Sequence, residues 1–209
     1  MLRAYAAGLF PMAPARDSDA IEWYSPQHRG VLPLDDFHAS RKLMRTVLGG
    51  RFEVSADTSF CEVMNACAAP AHGREDTWIS TRLTGLYVAL HDMGYAHSVE
   101  VRHDGKLVGG LYGVALGGAF FGESMFSHMT DASKVALVHL VAGLRQGGFS
   151  LLDAQYRTDH LARFGCREIS AGAYHDRLAE ALSHYSHWPD SFSLDALGEE
   201  LRAVRAVRA

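Results

Sequence analysis

Several features that commonly identify a class of protein are missing from this 209-residue chain. Its three cysteines form no CxxC pair, which argues against a disulfide framework and against a thiolate zinc site. Its longest apolar stretches are broken by glycine and are too short to cross a bilayer, and no charged-then-apolar leader opens the sequence. We therefore expect a cytoplasmic protein in a reducing environment, without a membrane partner.

An excess of positive charge is also missing. The formal net charge is -4 at pH 7, which argues against a protein that coats nucleic acid with a broadly basic surface. A local basic patch is compatible with this charge, because Arg41, Lys42 and Arg45 begin a helical pattern that fits either a nucleic-acid contact or a solvated helix face. Only His184 and His187 have a tight metal-like spacing and HExxH is absent, so we expect no metal and no other cofactor.

The sequence does contain a succession of helical and strand patterns, without internal repeats. With 48% apolar residues it can form one core. Residues 1–33 are rich in proline and aromatic side chains and predict a small irregular N-terminal lobe, followed by one larger domain over 34–209. The larger domain is predicted to contain helices over 41–48 (capped by Ser40), 59–67 (capped by Thr58), 82–93, from Asp131 or Ser133 to 146, 159–164 and 173–184, and strands over 52–55, 97–103, 106–116, 119–125 and 150–155.

The three central strands, joined first by Asp104-Gly105, predict an antiparallel meander. The order helix, three-strand meander, helix, strand, helix matches an α+β (mixed α/β) fold, the acyltransferase fold of the GCN5-related N-acetyltransferases. This match concerns the fold and does not define the chemistry. Acetyl-CoA enzymes of that fold carry a glycine-containing pyrophosphate loop before the central helix. Residues 127–133 contain no glycine, so acetyl-CoA is not the expected donor.

Three polar side chains interrupt apolar strand patterns: Glu123, Asp153 and Gln155. Because side chains alternate along a strand, Asp153 and Gln155 are predicted to project to the same face. A carboxyl group among leucines and phenylalanines resists ionisation unless it is hydrogen-bonded, and such groups concentrate at reactive sites. A structural hydrogen-bond network at the strand ends is the alternative, but three such groups on neighbouring strands favour a reactive site.

Two further features have two interpretations each. The glycines of the meander indicate bulges or the close approach of a ligand, or only a twisted sheet. Trp78 lies between a polar loop and a helix start, where it fits either stacking on a base or hydrophobic cover.

A series of short segments, in order from residue 4 to about residue 180, carries a family resemblance. They are Ala4-Tyr5-x-x-Gly8-Leu-Phe-Pro11, Trp23-Tyr-Ser-Pro26, Arg29-Gly-Val-Leu-Pro-Leu34, Phe37-His-x-Ser-Arg41, Thr77-Trp-Ile79, Ala96-His-Ser-Val-Glu-Val101, Leu107-Val-Gly-Gly-Leu-Tyr-Gly113, Phe121-Gly-Glu-Ser-Met-Phe-Ser127, Ala132-Ser-Lys134, and Asp153-x-Gln155 with His160. Together they resemble the bacterial leucyl/phenylalanyl-tRNA–protein transferases.

The resemblance implies an acyltransferase-like fold and an enzyme that takes Leu, Phe or Met from aminoacyl-tRNA. The acceptor would be a protein with an N-terminal Lys or Arg, which the transfer marks for degradation by the N-end rule, and the enzyme would act as a monomer. The alternatives are an acyltransferase of the same fold with another donor (Fem-like aminoacyl transfer or acetyl-CoA) and an inactive module that binds the tRNA end.

The resemblance also implies roles by position. Asp153 and Gln155 would form a relay that orients and helps deprotonate the acceptor amine, and Glu123 would hold the adenosine or the amine. Trp78 would stack on adenine, with Met12 at the opposite wall, where the family usually has tryptophan. The remaining implied contacts are an apolar pocket of Leu111, Phe120, Met125, Leu137, Leu140, Leu144 and Leu152, and tRNA contacts at Arg41 and Arg45.

Overall fold

The computed structural model describes residues 1–70 and 76–207, so the polar loop expected before Thr77 lies partly outside the described residues. The helices are α1 (Leu2–Ala6), α2 (Arg41–Leu48), α3 (Phe60–Ala68), α4 (Thr81–Asp92), α5 (Ala132–Gln146), α6 (Asp159–Ala162), α7 (Ala171–Ser183) and α8 (Gly198–Ala203). The strands are β1 (Phe10–Met12), β2 (Glu22–Tyr24), β3 (His28–Leu32), β4 (His38–Ser40), β5 (Glu53–Ala56), β6 (Ala96–His103), β7 (Lys106–Leu116), β8 (Ala119–Ser127), β9 (Leu151–Gln155), β10 (Arg167–Ser170) and β11 (Arg205–Val207).

Seven strands form one sheet in the order β10-β3-β9-β8-β7-β6-β5, and the fold is mixed α/β. Every neighbouring pair is antiparallel except β8 and β9. These two parallel strands pair only from Ala119–Phe121 to Leu151–Asp153, although β8 continues to Ser127. The sheet therefore opens between β8 and β9 beyond Phe121 and Asp153, and polar residues of both strands follow directly.

Helices cover both faces of this sheet. α5 packs on one face, and its side chains are buried from Ala132 to Leu144 apart from Lys134. The opposite face carries α1, α3, α4 and α7, and the buried tyrosines of α1, α4 and α7 belong to a second core cluster. A residue on β8 or β9 thus faces either the apolar α5 layer or a layer that supplies phenol hydroxyls. Within the described ranges, no helix has both the length and the apolar composition needed to cross a membrane.

The structure confirms most of the predicted elements. Ser40 caps the helix over 41–48, because its Oγ accepts a hydrogen bond of 3.2 Å from the backbone N of Leu43. The three-strand meander is present as β6, β7 and β8. Two glycines of the meander are explained by different features of the fold. A Cβ at Gly109 would lie 2.5 Å from the Cβ of Ala132, and Gly113 adjoins a bulge between β7 and β8.

One predicted cap is wrong. The helix predicted over 59–67 is α3, which begins at Phe60 and has Ser59, not Thr58, at its N-cap position. The hydroxyl of Thr58 instead donates a 2.9 Å hydrogen bond to Oε2 of Glu100. The carboxylate of Glu100 is fully buried and also accepts hydrogen bonds from the hydroxyls of Ser55 and Ser98. The need of a buried carboxylate for partners outweighs the local preference of threonine for a helix end.

The predicted N-terminal lobe of residues 1–33 contains both separate and shared structure. Among the described residues, β1 and β2 pair with each other alone, whereas β3 pairs with β9 and β10 inside the large sheet. Gly30 allows β3 to lie close to the chain after β9, because a Cβ at residue 30 would lie 2.5 Å from the backbone of Tyr156. The division of the chain at residue 33 stays a prediction, and β3 lies on the lobe side of it.

Candidate active site

Glu123 lies on β8 where this strand separates from β9, and only 8% of it is exposed. Its Oε1 accepts hydrogen bonds from the Tyr5 hydroxyl at 2.8 Å and from Nε2 of Gln155 at 3.1 Å. Its Oε2 accepts from the Tyr87 hydroxyl at 2.7 Å. The tyrosines belong to α1 and α4, and their hydroxyl oxygens are 2.8 Å apart. Three neutral donors therefore surround this carboxyl group.

Burial raises the pKa of Glu123 from 4.5 to about 7. The hydrogen bonds from Tyr87 and Tyr5 oppose this rise because they stabilise the carboxylate, the negative charge of Asp153 adds to the rise, and Gln155 opposes it. Near neutral pH both protonation states of Glu123 are populated. The group can therefore accept or release a proton under conditions in which an ordinary glutamate is fully ionised.

Asp153 is also buried, but its surroundings are different. Nε of Arg29 lies 2.9 Å from Oδ1 and Nη2 of Arg29 lies 2.6 Å from Oδ2. The Tyr174 hydroxyl donates to Oδ2 at 2.7 Å, and the backbone N of Gln155 donates to Oδ1 at 2.8 Å. Asp153 is therefore the charged half of a saturated ion pair, which is how a fully buried carboxylate is normally accommodated.

Arg29 is the cation of this pair and is 1% exposed. Its guanidinium lies between the rings of Phe10 and Tyr174, 4.6 and 4.5 Å from their centroids, and its Nη1 donates to the carbonyl oxygen of Gly8 at 3.0 Å. Burial lowers the pKa of Arg29, but the hydrogen bonds and charge of Asp153 outweigh burial and raise it. β3 and the N-terminal segment are thereby joined to β9.

Gln155 connects the two carboxyl groups. Its backbone N bonds to Asp153 and its side-chain amide bonds to Glu123. Its φ of 62° is unusual for a residue other than glycine and turns the chain at the end of β9. The structure thus brings together the three polar residues singled out in the sequence, and it joins them through a backbone N–H as well as through side chains.

Sequence reasoning missed the residues that hold these carboxyl groups: Arg29, Tyr5, Tyr87 and Tyr174. An arginine next to Gly-Val-Leu in a strand-like segment is a signal that could have been followed, because a buried guanidinium needs a carboxylate. The tyrosines gave no comparable signal, since Tyr87 and Tyr174 fit the apolar face of a predicted helix and Tyr5 lies in the segment predicted to be irregular.

A cavity of about 320 Å³ occupies the opening between β8 and β9. Glu123, Asp153 and Gln155 form its polar part. Its apolar part includes five of the seven predicted pocket residues, Leu111, Met125, Leu137, Leu140 and Leu152, together with Leu32 and Leu161. The predicted leucine-lined pocket therefore adjoins the carboxyl groups directly.

Phe120 and Leu144, which were also predicted to line the pocket, are not among the cavity residues. Phe120 is fully buried and stacks on Trp188, with ring centroids 5.5 Å apart. Leu144 is fully buried in the core on the α5 side.

The two predicted walls of an adenine slot lie outside this cavity but close to each other. Trp78 and Met12 are half-buried against the second core cluster. The backbone N of Ala13 donates to the carbonyl oxygen of Trp78 at 3.0 Å, which places Trp78 beside the segment that carries Met12. Arg41 and Arg45 are exposed on α2 and line a separate shallow groove with Leu48 and Ala206.

Comparison with known proteins gives a consistent result. The family "Leucyl/phenylalanyl-tRNA protein transferase" matches residues 31–179, and the N-terminal domain of the same family matches residues 1–27. A leucyl/phenylalanyl-tRNA–protein transferase of Gluconobacter oxydans is 59% identical over 98% of this chain and 91% of its own. Proteins of the same name from Paramagnetospirillum magneticum and Phenylobacterium zucineum are 57% and 56% identical, each over 88% of this chain and over 88% and 83% of their own.

Among solved structures, a DUF2156 domain from Agrobacterium fabrum aligns with 99% of this chain and 71% of its own, at 14% identity. The TM-score of 0.35 is too low to support a conclusion about the fold. The family matches and the near full-length relatives, together with the carboxyl-lined cavity, define an aminoacyltransferase. Within that class, the chain belongs to the leucyl/phenylalanyl-tRNA–protein transferase family.

Proposed function

We propose that this protein transfers Leu, Phe or Met from aminoacyl-tRNA to the N-terminal α-amine of proteins that begin with Lys or Arg, which marks them for N-end-rule degradation. The observation that carries the proposal is the apolar cavity that ends at Glu123 and Gln155. Family membership supports the donor and the reaction. The cytoplasm, which contains charged tRNA and acceptor proteins, is the expected location, and a monomer is the expected form.

The cavity supports the choice of amino acid. Its leucine and methionine walls favour an apolar side chain, whereas a charged side chain would lose water without gaining a partner there. The polar end then lies next to the ester that links the amino acid to the ribose.

The reaction exchanges an ester for an amide. The acceptor amine attacks the ester carbonyl, a C–N bond forms, the C–O bond to the ribose breaks, and the proton lost by the amine is balanced by the proton gained by the ribose oxygen. Since the ester is already activated, positioning of the two reactants supplies much of the rate. The 2′-hydroxyl of the tRNA is an alternative carrier of the proton.

In this proposal the two carboxyl groups have different roles. Glu123 exchanges a proton with the amine, because its pKa of about 7 suits both directions of transfer. Asp153 is held by Arg29 and orients Gln155 through the backbone N–H. The Gln155 side chain donates through Nε2 to Glu123, so its Oε1 is the acceptor available to the incoming amine.

The finer fold assignment belongs to the same proposal. An acyltransferase fold of the GCN5-related type is supported by the order of the elements and by the parallel β8–β9 pair that separates after three residue pairs. A lobe over 1–33 and a domain over 34–209 follow from the sequence. The family matches do not favour a Fem-like or acetyl-CoA donor, or an inactive module.

The test is transfer of labelled phenylalanine from tRNA to three peptides that differ only in an N-terminal Lys, Arg or Ala. We expect label on the first two alone; equal labelling of the Ala peptide, or no labelling, would overturn the proposal. In addition, Gln155→Ala should lose transfer far more than it loses binding of charged tRNA. Equal loss of both would remove Gln155 from the reaction.

A further inference from the structure

In the proposed reaction, a negative charge develops on the carbonyl oxygen of the donor ester when the amine attacks. Hydrogen-bond donors directed at such an oxygen are usually the largest single contribution to the rate of acyl transfer. The polar side chains on β8 and β9 are already engaged with one another and with β3: Asp153 is held by Arg29, and Nε2 of Gln155 donates to Glu123. A donor on another wall of the cavity would complete the site.

His160 lies on such a wall and has an unused polar atom. The chain leaves β9 at Gln155 and lines the same cavity again with Thr158, His160 and Leu161, at the beginning of α6. Nε2 of His160 is buried and has no hydrogen-bond partner among the described residues. Buried polar atoms in folded proteins normally have a partner, so an unpaired one at a cavity indicates a ligand atom beside it.

Local contacts hold the ring of His160 without using Nε2. Thr158 caps α6, because its Oγ accepts a hydrogen bond of 3.2 Å from the backbone N of Leu161. The His160 ring packs against the ring of Phe164, with centroids 5.5 Å apart and the planes inclined at 62°. The ring is therefore positioned by packing and by its helix turn, and Nε2 stays available to a substrate.

The charges around His160 favour a developing anion. Burial lowers the pKa of His160, and the charges of Lys134 and Arg163 lower it further. The ring is therefore neutral near pH 7, and a neutral imidazole with its proton on Nε2 is a hydrogen-bond donor. Asp131 lies 2.7 Å from Lys134 and balances one of the two positive charges, which leaves the charge of Arg163 to stabilise a negative oxygen near the ring.

Tyr112 also lines this cavity with a buried polar atom that has no partner in the described part of the chain. Its surroundings have the opposite sign, because burial and then the charge of Glu123 raise the pKa of its hydroxyl. Tyr112 is fully buried, with its ring against those of Tyr87 and Phe60, whereas His160 is partly exposed. His160 is therefore the better donor for an oxyanion.

We propose that Nε2–H of His160 donates a hydrogen bond to the carbonyl oxygen of the aminoacyl ester and stabilises the tetrahedral intermediate. This inference rests on the proposed function. As the C–N bond forms, the π-electron pair of the carbonyl moves onto its oxygen, and the pair returns when the C–O bond to the ribose breaks. The ribose oxygen takes up the proton that the amine loses, and His160 keeps its own proton throughout. His160 is thus a catalytic residue that contacts the oxygen, while Glu123 and Gln155 contact the amine.

The test measures transfer and binding in three variants. His160→Leu removes the donor, His160→Gln keeps an N–H group, and His184→Leu makes the same change at an exposed histidine at the end of α7. Single-turnover transfer of phenylalanine from tRNA to an Arg peptide gives the rate. Isothermal titration calorimetry gives the affinity for two unreactive analogues of phenylalanyl-adenosine: an amide with a planar carbonyl, and a phosphonate whose tetrahedral, negatively charged group replaces the ester carbonyl.

We expect His160→Leu to slow transfer about 10²- to 10³-fold. It should weaken binding of the phosphonate by a similar factor, because this analogue resembles the intermediate, and it should change binding of the planar amide far less. His160→Gln should retain part of the rate and of the phosphonate affinity, and His184→Leu should retain both in full.

Equal losses of affinity for the amide and the phosphonate would make His160 a part of the pocket wall alone and would overturn the proposal. A His160→Leu variant with the rate or the phosphonate affinity of the wild type, or an equal defect in His184→Leu, would overturn it as well. If the wild type transfers no phenylalanine, the proposed function fails, and the two analogues still decide whether His160 contacts the oxyanion.

Discussion

Glu123 and Asp153 are two buried carboxyl groups on neighbouring strands, and the structure accommodates them by opposite means. Asp153 is paired with a buried guanidinium and receives two further hydrogen bonds. In the described part of the chain, Glu123 receives hydrogen bonds from neutral groups alone, and burial raises its pKa to about 7. At these two positions, a guanidinium balances the charge of one buried carboxyl group, whereas burial with only hydroxyl and amide donors raises the pKa of the other.

The largest effect is expected from removing the carboxyl group of Glu123. Glu123→Gln keeps the shape of the side chain but cannot exchange a proton, so we expect transfer to fall about 10²- to 10⁴-fold. Single-turnover transfer from phenylalanyl-tRNA to an Arg peptide measures it. Glu168→Gln, which changes an exposed acid, is the control. A loss of less than about threefold would mean that Glu123 does not take part in the reaction.

The second largest effect is expected from removing the cation that pairs with Asp153. Arg29→Met leaves Asp153 buried without a cation, and we expect the free energy of unfolding in urea to fall by about 3–5 kcal/mol. The double variant Arg29→Met with Asp153→Leu should recover part of that loss, because it removes the unpaired charge as well. A single variant as stable as the wild type would show that the ion pair does not stabilise the fold.

The raised pKa of Glu123 also predicts that its contribution to stability depends on pH. Folding raises the pKa of Glu123 from 4.5 to about 7, so between these values the folded state binds more protons than the unfolded state. The contribution of Glu123 to stability is therefore present below pH 4.5 and is lost as the pH rises through 7, in total about 3 kcal/mol. Urea unfolding of the wild type and of Glu123→Gln across this range should show the difference. Parallel curves would contradict the raised pKa.

The smallest effect concerns one donor to Glu123. Tyr87→Phe removes a hydrogen bond that stabilises the carboxylate, so we expect the pKa of Glu123 to rise further. The midpoint of that stability difference moves to higher pH accordingly. Tyr112→Phe is a matched control, because Tyr112 is buried nearby and its hydroxyl has no partner among the described residues. A shift of equal size in both variants would exclude a specific role for Tyr87.

The sequence predicted local structure well because the decisive interactions are local. The meander follows from period-two patterns around Asp104-Gly105, and the helix over 41–48 follows from the Ser40 cap. β3 was assigned to an irregular lobe, because its partners, β9 and β10, lie more than a hundred residues further along the chain. The Thr58 cap failed for a related reason, since its partner Glu100 is distant in sequence.

The residues of the candidate site were likewise predictable from the sequence only in part. Glu123, Asp153 and Gln155 stand out in the sequence because polar residues interrupt apolar strands. The groups that decide their chemistry do not, because Tyr5, Tyr87 and Arg29 reach them from α1, α4 and β3, and only the fold brings these elements together. The sequence therefore indicates where the acids are, and the structure shows which groups hold each of them.

The most direct measurement of the central claim is the pH dependence of single-turnover phenylalanine transfer to an Arg peptide, compared between the wild type and Glu123→Gln. The acceptor amine titrates in both proteins, so the difference between the two profiles isolates Glu123. We predict a wild-type rise with a midpoint near 7 that the variant lacks. Profiles that differ in height but share every midpoint would contradict the account.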